Sequence, residues 1–225
     1  MALILNIDTS NESATVSIAE DGKILNSLEN PNQKDHASFL HLAVIEILNK
    51  SGLTLKNLSA IAVTAGPGSY TGIRVGIASA KGFCLALDCP LIMINSLELL
   101  ALAAIQNAVS AGYLYAPMID ARRMEVYCAV YDQQLKTIEK PIAQVLNETS
   151  FNDLLNKNKL VFCGSGAPKF KEICQHENAF FTDKLEIPTS MARYSSLKFD
   201  ESKFDDLISS EPFYLKDLYV PSRNA

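Results

Sequence analysis

Apolar and polar positions along the chain fall into short runs that change period in a regular order. Leu3 to Ile7 is a short apolar run, Ala14 to Ala19 alternates, and Asp21-Gly22 marks a hairpin turn before Lys23-Ile24-Leu25, so the chain is predicted to open as a β-meander. A helix is predicted from about Asp35 to Ser51, with Gly52 placed as its C-terminal stop. Ala60-Ile61-Ala62-Val63-Thr64 is too short and too rich in strand formers for a helix, and it delivers the chain into the loop Ala65-Gly66-Pro67-Gly68-Ser69-Tyr70-Thr71-Gly72. A second helix from about Tyr70 to Leu87, a buried strand from Pro90 to Asn95 and a third helix capped near Ser96, with Glu98 in its first turn, complete the first half. The order β-β-β-α-β-α-β-α combines a meander with crossover helices.

The pattern then begins again. Ala116-Pro117-Met118-Ile119-Asp120 ends an apolar strand on Ile-Asp, as Leu3 to Asp8 does, and Glu125 to Asp132 alternates as the return strand of a hairpin. Lys159-Leu160-Val161-Phe162-Cys163 runs into Gly164-Ser165-Gly166, echoing the step from Ile61 to Gly68. An internal duplication implies an α/β protein of two lobes facing each other across a cleft, each a mixed sheet flanked by helices, as in actin-like and sugar-kinase-like folds. The expected division is 1–110 and 111–225, with the second lobe reduced. Thr182 to Asp206 is polar and weakly periodic and is expected to be a long surface excursion, while Pro212-Phe213-Tyr214-Leu215 is apolar enough to dock back on the body.

Composition narrows the function classes. The chain has 225 residues, 48% of them hydrophobic, and a formal net charge of -5 with its Lys and Arg scattered, so nothing predicts an unaided grip on nucleic acid. Any connection to RNA is expected to be indirect. Five cysteines without a Cys-x-x-Cys pair, three of them in apolar runs, read as reduced and mostly buried thiols of a cytoplasmic protein. The N-terminus has no basic flank and reaches Asp8 too early for a signal peptide, and no apolar run approaches the ~20 residues that span a bilayer.

Candidate chemistry is sparse. In two-lobed folds of this type each lobe's first hairpin offers an Asp and a glycine turn to a phosphate and its metal, because glycine lets backbone amides come close. Here the turns read Asp8-Thr9-Ser10-Asn11 and Asp120-Ala121-Arg122-Arg123, without glycine. The loop from Gly66 to Gly72 lacks the lysine of a phosphate-binding Walker loop and the flanking glycines of a serine elbow, which leaves an anion-binding helix start or a tight structural turn. Asp8, Gly66, Gly68, Ser69, Asp120 and Gly164 are thus at most a vestigial anion or nucleotide site. His36 and His41 lie ~140° apart around one helix and cannot share a metal, and His176 stands alone. The expectation is no metal, no cofactor and no catalytic residue.

Two helices carry an anomaly. Gly72, Gly76 and Ala80 form one i, i+4 row in the second helix, although two mid-helix glycines cost ~1 kcal/mol each. The first helix has Leu40, Val44, Ile47 and Leu48 for its own sheet, yet also Leu42 and Ile45 on another side. Both a sandwich within one chain and a helix bundle between chains fit that pattern.

The start Leu5-Asn6-Ile7-Asp8-Thr9-Ser10, the segment from Val63 to Gly76 and the tail Pro212-Phe213-Tyr214-Leu215 together resemble the TsaB family, formerly YeaZ. The likeness runs through the first ~125 residues and returns at the tail. The resemblance implies a role in N6-threonylcarbamoyladenosine formation at position 37 of tRNAs that read ANN codons. It further implies no transfer by the chain itself, but a heterodimer with TsaD, the metal-bearing transferase of the same fold, joined by the ATPase TsaE. The family pairs through two first-lobe helices packed as a bundle, and can self-pair through the same surface. Carried over position by position, the interface comprises Ser38, Leu42 and Ile45 from the first helix, and Tyr70, Ile73, Arg74, Gly76 and Ile77 from the second. An active nucleotide-dependent transferase or kinase on this fold is the alternative. A glycoprotease is a third reading, for which no nucleophile constellation or metal motif is present.

Overall fold

The structure is a computed structural model that describes residues 1–32, 35–107 and 112–216. The expected lobe boundary at 110/111 lies outside the described residues. The first half contains β1 (Leu3–Asp8), β2 (Ala14–Glu20), β3 (Lys23–Asn30), α1 (His36–Lys50), β4 (Ala60–Gly66), α2 (Tyr70–Leu87), β5 (Leu91–Asn95) and α3 (Ser96–Gln106). The second repeats that order with β6 (Tyr113–Asp120), β7 (Glu125–Tyr131), β8 (Thr137–Val145), α4 (Asn152–Leu155), β9 (Lys159–Cys163), α5 (Ala167–Ile173), β10 (Ala179–Thr182) and α6 (Ile187–Asp200).

The two five-stranded sheets have one topology. The orders β3-β2-β1-β4-β5 and β8-β7-β6-β9-β10 correspond strand for strand, with antiparallel meanders and parallel crossovers at equivalent places. The fold is therefore a duplicated, two-lobed α/β architecture of the actin-like kind. Reduction of the second lobe is specific: α4 has 4 residues where α1 has 15, and α5 has 7 where α2 has 18.

The halves are joined by exchanging helices. On the first sheet, α1 and α2 cover one face through Leu40, Val44, Ile47, Ile73 and Ile77 packed on Leu5, Ile7, Val16 and Val63. Leu97, Leu100, Ala101 and Ala104 of α3 pack instead on Tyr115, Ile119 and Ala129 of the second sheet. Met191 of α6 crosses the other way, onto Ile4, Ala62 and Ile92 of the first sheet.

The segment expected to be a surface excursion is thus corrected: residues 187–200 within it form α6, a buried helix. Its inward face is Ser190, Met191, Ala192, Ser195 and Ser196. The serine hydroxyls find partners that make burial tolerable, Ser190 with Gln106 Oε1 at 3.0 Å and Ser195 with Ala192 O at 3.1 Å. Small side chains let α6 lie close to the first sheet, and its Arg193 Cα sits 3.4 Å from where a Cβ on Gly22 would be.

Beyond α6 the chain turns back along the first lobe. Asp205 bridges to Leu91 of β5 and its carboxylate accepts from Met93 N at 2.7 Å. Phe213 N then donates to Ala65 O at 2.7 Å, and Lys216 pairs with Glu125 of the second lobe at 2.6 Å.

Candidate functional site: the outer face of α1 and α2

Several groups of the first lobe's candidate nucleotide site bond to the chain itself. Asp8 is buried, and its Oδ1 accepts from Ser10 N (2.9 Å), Ser10 Oγ (2.7 Å) and Thr64 Oγ1 (2.8 Å). Of the glycine-loop amides, Ser69 N donates to Ser10 O at 2.7 Å and Gly72 N to the Ser69 hydroxyl, while the Gly66-Pro67 peptide is cis. Gly66, in the left-handed region at φ 103, has Phe213 O of the tail 2.7 Å from its missing Cβ. Gly68 abuts the Ser10 carbonyl so closely that a Cβ there would collide with it. The loop behaves as a tight structural turn, packed from below by the β1–β2 connection and from above by the tail.

The second lobe's counterpart also bonds to its own surroundings. Asp120 Oδ1 accepts from Lys169 Nζ and from Arg122 N, both at 2.6 Å. Arg122 and Arg123 hold the left-handed backbone (φ 72 and 50) that glycine adopts most easily in such hairpins. Gly164 has Met118 O 2.5 Å from its missing Cβ, so it serves the approach of loop to strand. Asp8, Gly66, Gly68 and Ser69 therefore gather in one lobe and Asp120 and Gly164 in the other, each group bound to its own surroundings. A concavity of about 420 Å³ lies between α3, α6 and the β7–β8 turn, lined by Gln106, Leu135, Arg193, Tyr194 and Lys198, and touches none of them.

Two histidines of α1 have partners within the chain. His36 is buried with Nε2 3.0 Å from Glu12 O, and His41 lies beside Phe83 with ring centroids 5.9 Å apart and planes tilted by 55°. No group of three metal-ligating side chains forms among the described residues. All five cysteines carry free thiols, and burial pushes Cys84, Cys128 and Cys163 up to about 12. Since the thiolate is the reactive form, a thiol-reactive dye at neutral pH is expected to leave these three unmodified in the native protein and to label all five after denaturation. Fast labelling of any of the three in the native state would show that their cores open.

Glycine placement in α2 overturns one sequence expectation. Gly72, Gly76 and Ala80 face inward: Gly72 lies against the Thr9 carbonyl, and Gly76 against Thr9 Oγ1, with Val63 Cγ2 3.3 Å from its missing Cβ. Thr9 Oγ1 in turn donates to Gly72 O at 2.7 Å. Ile73 and Ile77 are 0% and 4% exposed and belong to the same core. Gly76, Ile73 and Ile77 thus do not present an outward surface, because the β1–β2 connection needs the space a side chain would take.

What α2 shows to solvent is a second row. Thr71, Arg74, Ala78, Gly82 and Leu85 are exposed, spaced by threes and fours, and no atom lies within 4 Å of the position a Gly82 Cβ would occupy. On α1, which packs beside α2, Ser38, Leu42, Ile45 and Asn49 form the matching row, with Leu42 68% and Ile45 57% exposed. Leu85 is 77% exposed. Of the interface positions expected from sequence, Ser38, Leu42, Ile45 and Arg74 lie on this face, with Tyr70 half-buried at its edge. Ala78, Gly82 and Leu85 were missed. Their signal was an i, i+4 row Ala78-Gly82-Ala86, as visible as the inward one. Apolar seams of this period are what helices bury against other helices, and small residues within them permit close approach.

The comparisons with known proteins agree with the architecture. A family model described as "TsaD: tRNA N6-adenosine threonylcarbamoyltransferase" matches residues 29–218. The tRNA threonylcarbamoyladenosine biosynthesis protein TsaB of Escherichia coli is 36% identical over 95% of this chain and 94% of that protein. Its Bacillus subtilis namesake is 34% identical over 62% of this chain and 59% of that protein. Among solved structures, YeaZ from Pseudomonas aeruginosa superposes with a TM-score of 0.79 at 26% identity, covering 96% of this chain and all (100%) of that one. An inorganic polyphosphate/ATP-glucomannokinase from Arthrobacter shares the fold at a TM-score of 0.54 and 12% identity, over 90% of this chain and 100% of that one.

Proposed function

The chain belongs to the TsaB family, and we propose that it acts in threonylcarbamoyladenosine modification of tRNA as a non-catalytic subunit that docks a TsaD-type transferase through the outer face of α1 and α2. The observation that carries the proposal is that face: an apolar seam on two adjacent helices, with small residues at its centre and Leu42, Ile45 and Leu85 exposed. Large exposed apolar patches on a folded surface mark association sites. Similarity to a transferase family model over most of the chain supports a pairing of paralogues, in which each offers a related helix pair.

A non-catalytic role is supported by the cleft, where Asp8 and the glycine loop serve the chain's own packing and hairpin turns lack glycine. The scattered cations and net charge of -5 support an indirect relation to tRNA, which the transferase subunit would contact. A TsaE-type ATPase completes the proposed cytoplasmic assembly, and self-pairing through the same seam is its competitor when the transferase is absent.

Size-exclusion chromatography with light scattering on this chain, on the TsaD-type protein of the same source and on their mixture tests the proposal. A one-to-one complex that replaces any homodimer is the expected result. Failure to associate, with or without the ATPase and ATP, would overturn it and turn attention to ATP turnover by the chain alone.

A further inference from the structure

The tail beyond α6 lies along the docking face rather than simply ending the chain. It runs antiparallel to α2: Ile208 O accepts from Lys81 Nζ at 3.3 Å near the helix middle, and the Tyr214 hydroxyl meets Arg74 Nε at 2.8 Å near its start. Tyr214 also stacks on Tyr70, with centroids 5.1 Å apart, and the Arg74 guanidinium sits 3.9 Å over the Tyr70 ring. Leu207 packs inward against the core beneath α2.

Within this arrangement Ile208 is 91% exposed, held there by a built turn. The Asp206 carboxylate accepts from Ile208 N (3.1 Å), Ser209 N (2.7 Å) and Ser209 Oγ (2.7 Å), and these bonds hold its carboxyl below the usual carboxylate range. A turn that orders itself around a bare isoleucine presents it.

A second feature concerns charge. Arg74 and Lys81 are the only charged side chains of α2. Both bond to the tail, Arg74 from the N-terminal end of the exposed row and Lys81 from beside it, which turns their charges away from Ala78, Gly82 and Leu85. Unpaired cations lying across an apolar seam would lose hydration on docking, so removing them to one side favours association.

We infer that residues 205–214 form the third ridge of the docking face, with Ile208 as an apolar contact, and that the tail clears Arg74 and Lys81 from the seam of α2. The inference rests on the proposed transferase docking and commits to the same occupant, the helix pair of the TsaD-type paralogue. The surface it covers is continuous with α2, because the tail is bonded to that helix at both ends.

Titration calorimetry of this chain against the TsaD-type protein, with variants Ile208→Glu, Ile208→Ala and Leu42→Glu and the off-face control Val145→Glu on β8, tests it. Ile208→Glu is expected to weaken association about tenfold or more, Ile208→Ala by a smaller factor, and Val145→Glu not at all, with thermal melting unchanged in each. Wild-type affinity in both Ile208 variants, while Leu42→Glu fails to bind, would overturn the third ridge and leave the helix docking intact. Wild-type affinity in Leu42→Glu would instead overturn the docking reading and this inference with it.

Discussion

Gly76→Leu is expected to destabilise the isolated chain strongly, a result opposite to that for a glycine facing a partner. The Gly76 Cβ position already collides with Thr9 Oγ1 and comes within 3.3 Å of Val63 Cγ2, so a leucine would have to lift α2 off the sheet. Thr9 cannot swing away cheaply, since its hydroxyl is bonded to Gly72 O and its carbonyl fills the space over Gly72. Overpacking of this kind typically costs ~1–3 kcal/mol and more where backbone must move, a large share of the ~5–15 kcal/mol that holds a domain. Even Gly76→Ala is expected to destabilise, although alanine gains up to ~1 kcal/mol in helix propensity. Gly82→Ala supplies the contrast: with nothing near its Cβ position, the isolated chain is expected to gain up to ~1 kcal/mol. Urea denaturation of the three variants reads the outcome. A Gly76→Leu chain as stable as the parent would show that α2 is not seated on Thr9.

That contrast also shows where the sequence was silent. Period alone defines two small-residue rows on α2, Gly72-Gly76-Ala80 and Ala78-Gly82-Ala86, and says nothing about which faces the sheet. The deciding contact is with Thr9, more than sixty residues away in the chain, so no local pattern contains it. The α1 assignment was legible because large apolar residues do the sorting there: Leu40, Val44, Ile47 and Leu48 are buried, and Leu42 and Ile45 are not. In α6 the reverse holds. A helix whose buried face is Ser190, Met191, Ala192, Ser195 and Ser196 offers one large apolar residue among three serines, and only the neighbouring helix and sheet reveal that these serines are inside.

Duplication was legible for a different reason. The Ile-Asp strand ends at Asp8 and Asp120 and the strand-to-glycine steps that reach Gly68 and Gly166 recur alongside a shared packing feature: a Cβ on Gly68 would meet Ser10 after β1, and one on Gly166 would meet Met118 and Val126 of the β6–β7 hairpin. What differs between the halves is the helical cover. The long α1 and α2 of the first lobe have lost most of their length in α4 and α5, so among the described residues the proposed docking seam has no counterpart of similar length in the second lobe.

Gly82→Leu is therefore expected to separate association from folding. The substitution adds a side chain where the chain itself places nothing within 4 Å, at a helical position that needs no left-handed backbone, so melting should stay at or above the parent value. On the outer face the same side chain stands in the middle of the row Thr71, Arg74, Ala78, Gly82 and Leu85, where a partner helix would have to come close. Helices that meet over small residues lose their contact along the whole seam when one position is filled, and central interface positions commonly carry ~2 kcal/mol or more, about 30-fold in Kd. Light scattering and calorimetry on Gly82→Leu with the TsaD-type protein should find a folded chain and little or no complex. Full affinity would place the partner elsewhere on the molecule, and loss of folding would show that Gly82 is packed against something the isolated chain already contains.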